Sequence, residues 1–375
     1  MKVAIVCDWL LGIGGAERVV LELHHLFPDA PIYTSQYDPE KINWFSDADV
    51  RTGYLQHLPK KLKKFLPLLR AYYFSRLDLS DYDLVISSSG AEAKGVRTGK
   101  KTFHLCYCHS PTHYYWIRHN EYLKHPGFPF GLNWLAKLGL KLLIKTLKRW
   151  DYRAAKHPNA IIANSTHTQA MIKRHYHRES TVIHPPVEIE RFKFNGKPNL
   201  RHGFLIAGRQ VPYKRFDLAI EACNELKVPL IVIGDGPEHK RLAKLAGRNV
   251  TFLQNVGDHE IAAHFQSSVG FIMPNMDDFG IVAVEALAAG TPVIAYKKGG
   301  ALDYIDPNKT GIFFNKQTVS DVVEALETAL HKNFDHERIA ESAQAFSVAA
   351  FRTNVKALIA DCLARKSGPT APPHQ

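Results

Sequence analysis

The chain has only five cysteines in 375 residues, at positions 7, 106, 108, 223 and 362. An odd number so widely scattered makes no disulfide framework and fits a reducing compartment. Cys106 and Cys108, in HLCYCHS, lie two apart on an apparent strand, and a metal pair there is not expected. No apolar run reaches the roughly 20 residues needed to cross a bilayer. The opening segment, MKVAIVCDWLLGIGG, is apolar but broken by Asp8 and followed by Gly14 and Gly15. It reads as a buried first strand and not as a secretory leader, so the expected location is the cytoplasm. Short repeats and low-complexity segments are missing as well. The last residues, SGPTAPPHQ (367–375), are expected to form a disordered tail.

Acidic residues are scarce in one half only. Residues 1–185 hold 26 Lys/Arg against 15 Asp/Glu, and residues 186–375 hold 22 against 21, within a net charge of +12. The imbalance gives the first half an anionic partner. Nucleic acid is not expected: no nucleic-acid motif is present, and the charge gathers in lysine-rich amphipathic stretches instead of basic residues interleaved with aromatics. In LNWLAKLGLKLLIKTLKRW (132–150), Lys137, Lys141, Lys145 and Lys148 are spaced four, four and three apart, along one helical stripe. HLPKKLKKFLPLLR (57–70) repeats the chemistry. The plain reading is solvated lysines over an apolar face that packs on the core. Two such segments in the basic half favour an anionic membrane surface, met peripherally from the inner side.

What is abundant is alternation. KVAIVC (2–7), DLVISSS (83–89), FHLCYC (103–108) and AIIANS (160–165) read as strands buried on both faces. A second series follows at 203–208, 229–236, 250–254, 269–274 and 291–296, separated by helical runs such as FDLAIEACNEL (216–226), EIAAHFQSS (260–268) and IVAVEALAAG (281–290). Such alternation makes βαβ units and parallel sheets. Two series imply an α/β chain of two Rossmann-like, doubly wound domains, 1–185 and 186–349. The hinge is expected near Pro185 and Pro186, and a last helix at about 350–366 is expected to pack back on the first domain.

Four stretches carry chemistry. GIGGAERVV (12–20) places Gly14 and Gly15 between a strand and a helix, where a backbone can approach an anion closely. Its glycine spacing is not the dinucleotide fingerprint, and a tight turn without a ligand explains it equally well. AGRQVPYKRFDLAIEA (207–222) flanks a strand–turn–helix junction with Arg209 and Lys214, a seat for a diphosphate. GDGPEHKRL (234–242) is another such junction. In MDDFGIVAVEALAAG (276–290), Asp277 and Glu285 stand on either side of a helix start whose first backbone N–H groups, at Phe279, Gly280, Ile281 and Val282, can hold hydroxyls or phosphate. His109, in YCHSPTHYYW, follows a first-domain strand. No Asp-x-Asp-like pair follows a strand in a metal-binding setting, so no metal and no cofactor are expected.

In this order, GGAER, ANSTHT with VIHPPVEIERF, GRQVPYKR, GDGPEHKRL and DDFGIVAVEALAAGTPVIAYKKGGALDYI resemble the retaining glycosyltransferases of family four. The resemblance covers nearly the whole chain. It implies the GT-B architecture, in which two Rossmann-like domains face each other across a cleft, and a nucleotide sugar as donor. The family's Glu-x7-Glu is met as Asp277-x7-Glu285, with an acid one methylene shorter at the first position; its later GGALETV reads GGALDYI, with Asp303 in place of Glu. By resemblance Glu285 accepts hydrogen bonds from the ribose and Asp277 reaches the transferred sugar. Arg209 and Lys214 oppose the charge of the departing diphosphate, and His109 supports the sugar near its reacting face. Asp277→Asn would then spare nucleotide binding, and Glu285→Gln would weaken it. CDWLLGIGGAERV and YCHSPTHYYW look most like bacterial mannosyltransferases of surface-polysaccharide or glycolipid pathways. The expected donor is therefore GDP-mannose and the acceptor a lipid-linked saccharide or other saccharide. UDP-glucose, UDP-galactose or UDP-GlcNAc as donor, and a nucleotide-sugar epimerase of the same fold, remain the alternatives.

Overall fold

The computed structural model describes residues 1–59, 66–117, 133–194, 196 and 201–367; the side chains of residues 133–142, 258 and 367 are outside that description. The chain divides into two compact units. One runs from Met1 to His184 and resumes at Arg352, and the other runs from Pro185 to Phe351.

The first unit is built on a parallel sheet of seven strands: β1 (Val3–Cys7), β2 (Ile32–Thr34), β3 (Val50–Arg51), β4 (Leu84–Ser89), β5 (Phe103–Cys108), β6 (Ala160–Ala163) and β7 (Thr181–Val182). Their order is β3-β2-β1-β4-β5-β6-β7. β1, β4 and β5 are buried along their whole length, as strands covered on both faces must be. Helix α1 (Gly15–Leu26) follows β1, α2 (Pro67–Arg76) precedes β4, and α3 (Asn133–Ala154) precedes β6.

The second unit has a parallel six-stranded sheet: β8 (Phe204–Ala207), β9 (Leu230–Ile233), β10 (Val250–Leu253), β11 (Gly270–Met273), β12 (Val293–Tyr296) and β13 (Gly311–Phe314), in the order β10-β9-β8-β11-β12-β13. Helix α4 (Phe216–Leu226) buries Phe216, Leu218, Ala219, Ile220, Ala222 and Cys223 against one face. Helix α5 (Ile281–Ala288) covers the other, and its run of small residues, Ala283, Ala286 and Ala288, lets it lie close on the sheet. The last helix, α6 (Val348–Ser367), carries the chain into the first unit, where Arg352 donates to Glu22 and contacts His25 at 2.8 Å on α1. Residues 368–375, expected to be a disordered tail, lie outside the described residues.

In both sheets the chain starts in the middle, winds to one edge, and returns to the other side of its first strand. The reversal falls between β1 and β4 in the first unit and between β8 and β11 in the second. The loops leaving these two strand pairs diverge and leave a crevice, where open α/β sheets bind ligands.

Candidate functional site

At the second unit's reversal, β8 ends in Gly208, whose φ of 135° lies where side chains are strained. The β9 loop presses on this turn: a Cβ at Gly234 would sit 2.3 Å from the Gly208 carbonyl oxygen. Gln210 is fully buried and links the two turns. Its Nε2 donates to the Gly234 carbonyl at 2.7 Å, and its Oε1 lies 2.9 Å from His239 Nδ1. Arg209, beside it, is exposed. Next comes a short 3-10 turn, Pro212–Lys214, and then Arg215 in the left-handed region, its guanidinium held by Asp217 at 3.1 Å. The remaining cation, Lys214, is three-quarters buried.

Across the crevice, β11 leads into Asn275–Gly280. The backbone of this loop is fixed by the double glycine after β12. The Gly300 N–H donates to the Asp277 carbonyl at 2.9 Å, and a Cβ at Gly299 or Gly300 would come within 2.3 or 2.4 Å of Asp277 or Phe279 backbone atoms. Phe279 packs its ring against Tyr304 and Phe346, at 5.5 and 5.7 Å. Gly280 caps α5 at φ 98°, and a side chain there would meet the Tyr304 hydroxyl at 2.7 Å. Ile281 and Val282 open the helix. Glu285, on its next turn, is 8% exposed. Burial raises the Tyr304 hydroxyl well above the usual phenol range, and the nearby charges of Asp277 and Asp303 raise it further.

The structure thus joins two residues that the sequence assigned to different tasks. Lys214 Nζ donates directly to Asp277 Oδ2, a carboxylate itself about four-fifths buried. Lys214 therefore has a carboxylate partner across the crevice, because the β8 and β11 loops leave adjacent strands. Gln210 and the Gly299–Gly300 pair are working parts that sequence reasoning passed over. Their only sequence signals were a polar residue at a strand end and paired glycines after an apolar run.

The first unit closes its reversal differently. Asp8, after β1, accepts the backbone N–H groups of Gly90, Ala91 and Ala93 at 2.8, 3.0 and 2.7 Å. Burial, with the charge of Glu92, pushes its carboxyl above the ordinary range, against the lowering effect of those N–H groups and Lys94. Beneath lies a polar network whose charged members, Arg70, Glu92, Lys94 and Asp151, are buried. Arg70 Nε meets Glu92 at 2.7 Å, and Lys94 Nζ meets Asp151 at 2.7 Å. Tyr114 and Tyr115 donate to Glu92, and Trp116, Tyr176 and Thr112 donate to Asp151. These charges were visible in sequence only as breaks in apolar runs. His109 Nε2 lies 2.7 Å from Ser88 Oγ, and its carbonyl accepts from Asn164 at 2.9 Å. Gly14 has extended backbone that any residue adopts (φ −164°), and Gly15 is the first residue of α1.

Of the lysine stripe, Lys137 and Lys141 have side chains outside the described residues. Lys145 is exposed, and Lys148 holds its ammonium 5.0 Å over the Trp116 ring. Residues 60–65 of the second basic segment are also outside the description. Among the described residues no helix is long and apolar enough to cross a membrane, and no group of three or more His, Cys, Asp or Glu is placed to hold a metal ion.

Comparison with known proteins bears on this arrangement. A profile described as Glycosyltransferase Family 4 matches residues 13–191, and one described as Glycosyl transferases group 1 matches residues 187–346. The GDP-mannose-dependent alpha-(1-6)-phosphatidylinositol monomannoside mannosyltransferase of Mycobacterium tuberculosis is 31% identical over 159 residues, 38% of this chain and 40% of that protein. The chain spans about two-fifths of the length of the first curated relatives that it matches. Mouse alpha-1,3/1,6-mannosyltransferase ALG2 is 25% identical over 86% of each chain. Among solved structures, Anabaena Alr3699/HepE in complex with UDP superposes with a TM-score of 0.69 over 96% of this chain and 100% of that one, at 19% identity, and so shares the fold. The two profiles together run from residue 13 to residue 346: the chain joins a Glycosyltransferase Family 4 domain to a Glycosyl transferases group 1 domain, as two α/β units of the GT-B type.

Proposed function

We propose that the protein is a retaining mannosyltransferase that moves mannose from GDP-mannose to a lipid-linked or saccharide acceptor, without a metal ion. The observation that carries this is the second unit's reversal: Arg209 and Lys214 follow β8, and Asp277 and Glu285 flank the start of the helix after β11. When the bond from the anomeric carbon to the diphosphate breaks, negative charge grows on the leaving phosphate while the sugar becomes oxocarbenium-like. Meeting that charge is the largest electrostatic demand of the step. Arg209, Lys214 and the N-terminal N–H groups of α5 are the groups for it. Glu285 takes the ribose hydroxyls and Asp277 those of the sugar. Retention has the departing phosphate collect the acceptor's proton. The GDP-mannose dependence of the mycobacterial relative and the mannosyl activity of the mouse relative support mannose.

A lipid-linked acceptor places the enzyme at the inner membrane face. Supporting this, α2 exposes Leu68, Leu69 and Tyr72, α3 exposes Leu143 and Lys145, and the Arg76 guanidinium lies over the Tyr72 ring. Exposed apolar groups ringed by cations suit an anionic bilayer surface.

The test is a donor screen that measures nucleotide release from GDP-mannose, UDP-glucose, UDP-galactose and UDP-GlcNAc, with and without EDTA. GDP release should dominate and survive EDTA, with the anomeric configuration preserved by NMR. Consumption of a UDP sugar with GDP-mannose untouched would overturn the donor, and a free epimer without nucleotide release would overturn transfer.

A further inference from the structure

We infer that Asp277 is an internal counter-ion seated on Lys214 while no phosphate is bound, so that donor binding is an exchange of carboxylate for phosphate. This rests on the reading of the second unit's crevice as the donor site.

Three observations carry the inference. First, Lys214 and Asp277 are directly paired and both are largely withdrawn from solvent, so neither is a casual surface charge. Second, the Asp277 main chain is pinned by the Gly300 N–H and by the close approach of Gly299. The carboxylate can therefore change partner only by turning about its own side-chain bonds. Third, the neighbouring cation, Arg215, is held by Asp217, two residues along its own segment. Lys214 has its counter-charge on the opposite loop, across the strand pair where the sheet reverses.

The chemistry of exchange distinguishes donor from spent nucleotide. A phosphate that takes Lys214 leaves Asp277 unpaired in a half-buried setting, which is costly. A nucleotide sugar brings hydroxyls of the transferred sugar that donate to the freed carboxylate; a nucleoside diphosphate has only its ribose hydroxyls, which go to Glu285. Asp277 thus penalises the product relative to the donor and favours its departure. The Asp side chain, short by one methylene, keeps the carboxylate close to the loop that Lys214 reaches.

Calorimetry at low salt on the full chain tests this with GDP and GDP-mannose, and with UDP and UDP-glucose in parallel. The proteins are the wild type, Asp277→Asn, Asp277→Ser, Lys214→Gln and the Asp277→Asn/Lys214→Gln double variant, each checked for native circular dichroism. The wild type should bind the nucleotide sugar more tightly than its diphosphate. Both Asp277 variants should bind the diphosphate about three- to thirtyfold more tightly and lose that preference. In the Lys214→Gln background, Asp277→Asn should change diphosphate affinity less than about twofold, as coupled residues do. Unchanged or weaker diphosphate binding in both Asp277 variants would overturn the exchange. So would an equal gain in the Lys214→Gln background, which would make Asp277 a simple repeller of phosphate. A wild type that binds none of the four ligands would overturn the donor-site reading itself, and the exchange with it.

Discussion

The two units use one winding pattern and set an acid at each reversal, yet the two acids have opposite fates. Asp8 is buried and spends its carboxylate on three backbone N–H groups of the β4 loop, which ties the β1 loop to the β4 loop. Asp277 spends its carboxylate on one side chain, Lys214, and is not fully buried, its own side chain being 18% exposed. Backbone donors cannot leave, so Asp8 is part of the fold. A lysine can change partner, so Asp277 is part of a site. Topology marks both crevices as places for ligands, while the partner of the charge decides whether the acid there can change partner.

The sharpest way to break this contrast is to remove the exchangeable cations. Arg209→Ala and Lys214→Ala should each lower transfer by about two to four orders of magnitude with thermal unfolding unchanged, as for the loss of a donor to a developing anion. Near-normal steady-state turnover would take them out of the mechanism. The converse belongs to the first unit. Glu92→Gln strands the Arg70 guanidinium in a buried setting and should cost about 3–5 kcal/mol of stability in urea unfolding. A loss below about 1 kcal/mol would mean the network relaxes around the change.

A milder test uses His104 on β5, fully buried with Nε2 2.8 Å from Ser87 Oγ. Burial, helped by the charges of His157 and Arg178, pushes it down from 6.5 to about 3. The folded chain holds it neutral while the unfolded chain takes a proton below about 6.5. Its stabilising contribution is therefore complete above that pH and is lost on acidification toward about 3, by roughly 1 kcal/mol per pH unit. His104→Gln should flatten that slope in urea unfolding at pH 7, 6 and 5; a slope identical to the wild type would place the acid sensitivity elsewhere. The smallest effect is expected at the surface. Lys137, Lys141, Lys145 and Lys148 changed together to Gln, or Leu68→Ser with Leu69→Ser, should reduce sedimentation with anionic vesicles severalfold at low salt and leave soluble-acceptor turnover intact. Equal sedimentation of variants and wild type would make these ordinary surface residues.

Much of the architecture was legible before the structure. β1, β4, β5, β6, β8, β9, β11 and β12 fall on apolar runs bounded by turns, as strands covered on both faces do; β10, an edge strand with no fully buried residue, falls on such a run as well. β2, β3 and β7, of three, two and two residues, escaped notice. Strands so short show no period, and only pairing to a neighbour makes them strands. β13, GIFF, was missed as well, being a bare four residues after a turn.

The sequence by itself determined the α/β class, the two-unit series and which loops carry Arg209, Lys214, Asp277 and Glu285, because these follow from local periodicity and from motif spacing along one chain. Tertiary structure alone decided that Lys214 and Asp277, 63 residues apart, form one ion pair, and that Asp8 turns to the β4 loop 82 residues ahead. Nor could spacing reveal that Gln210 ties two turns together. Each of these depends on which strands lie side by side, and side-by-side placement comes from burying both faces of the sheet at once.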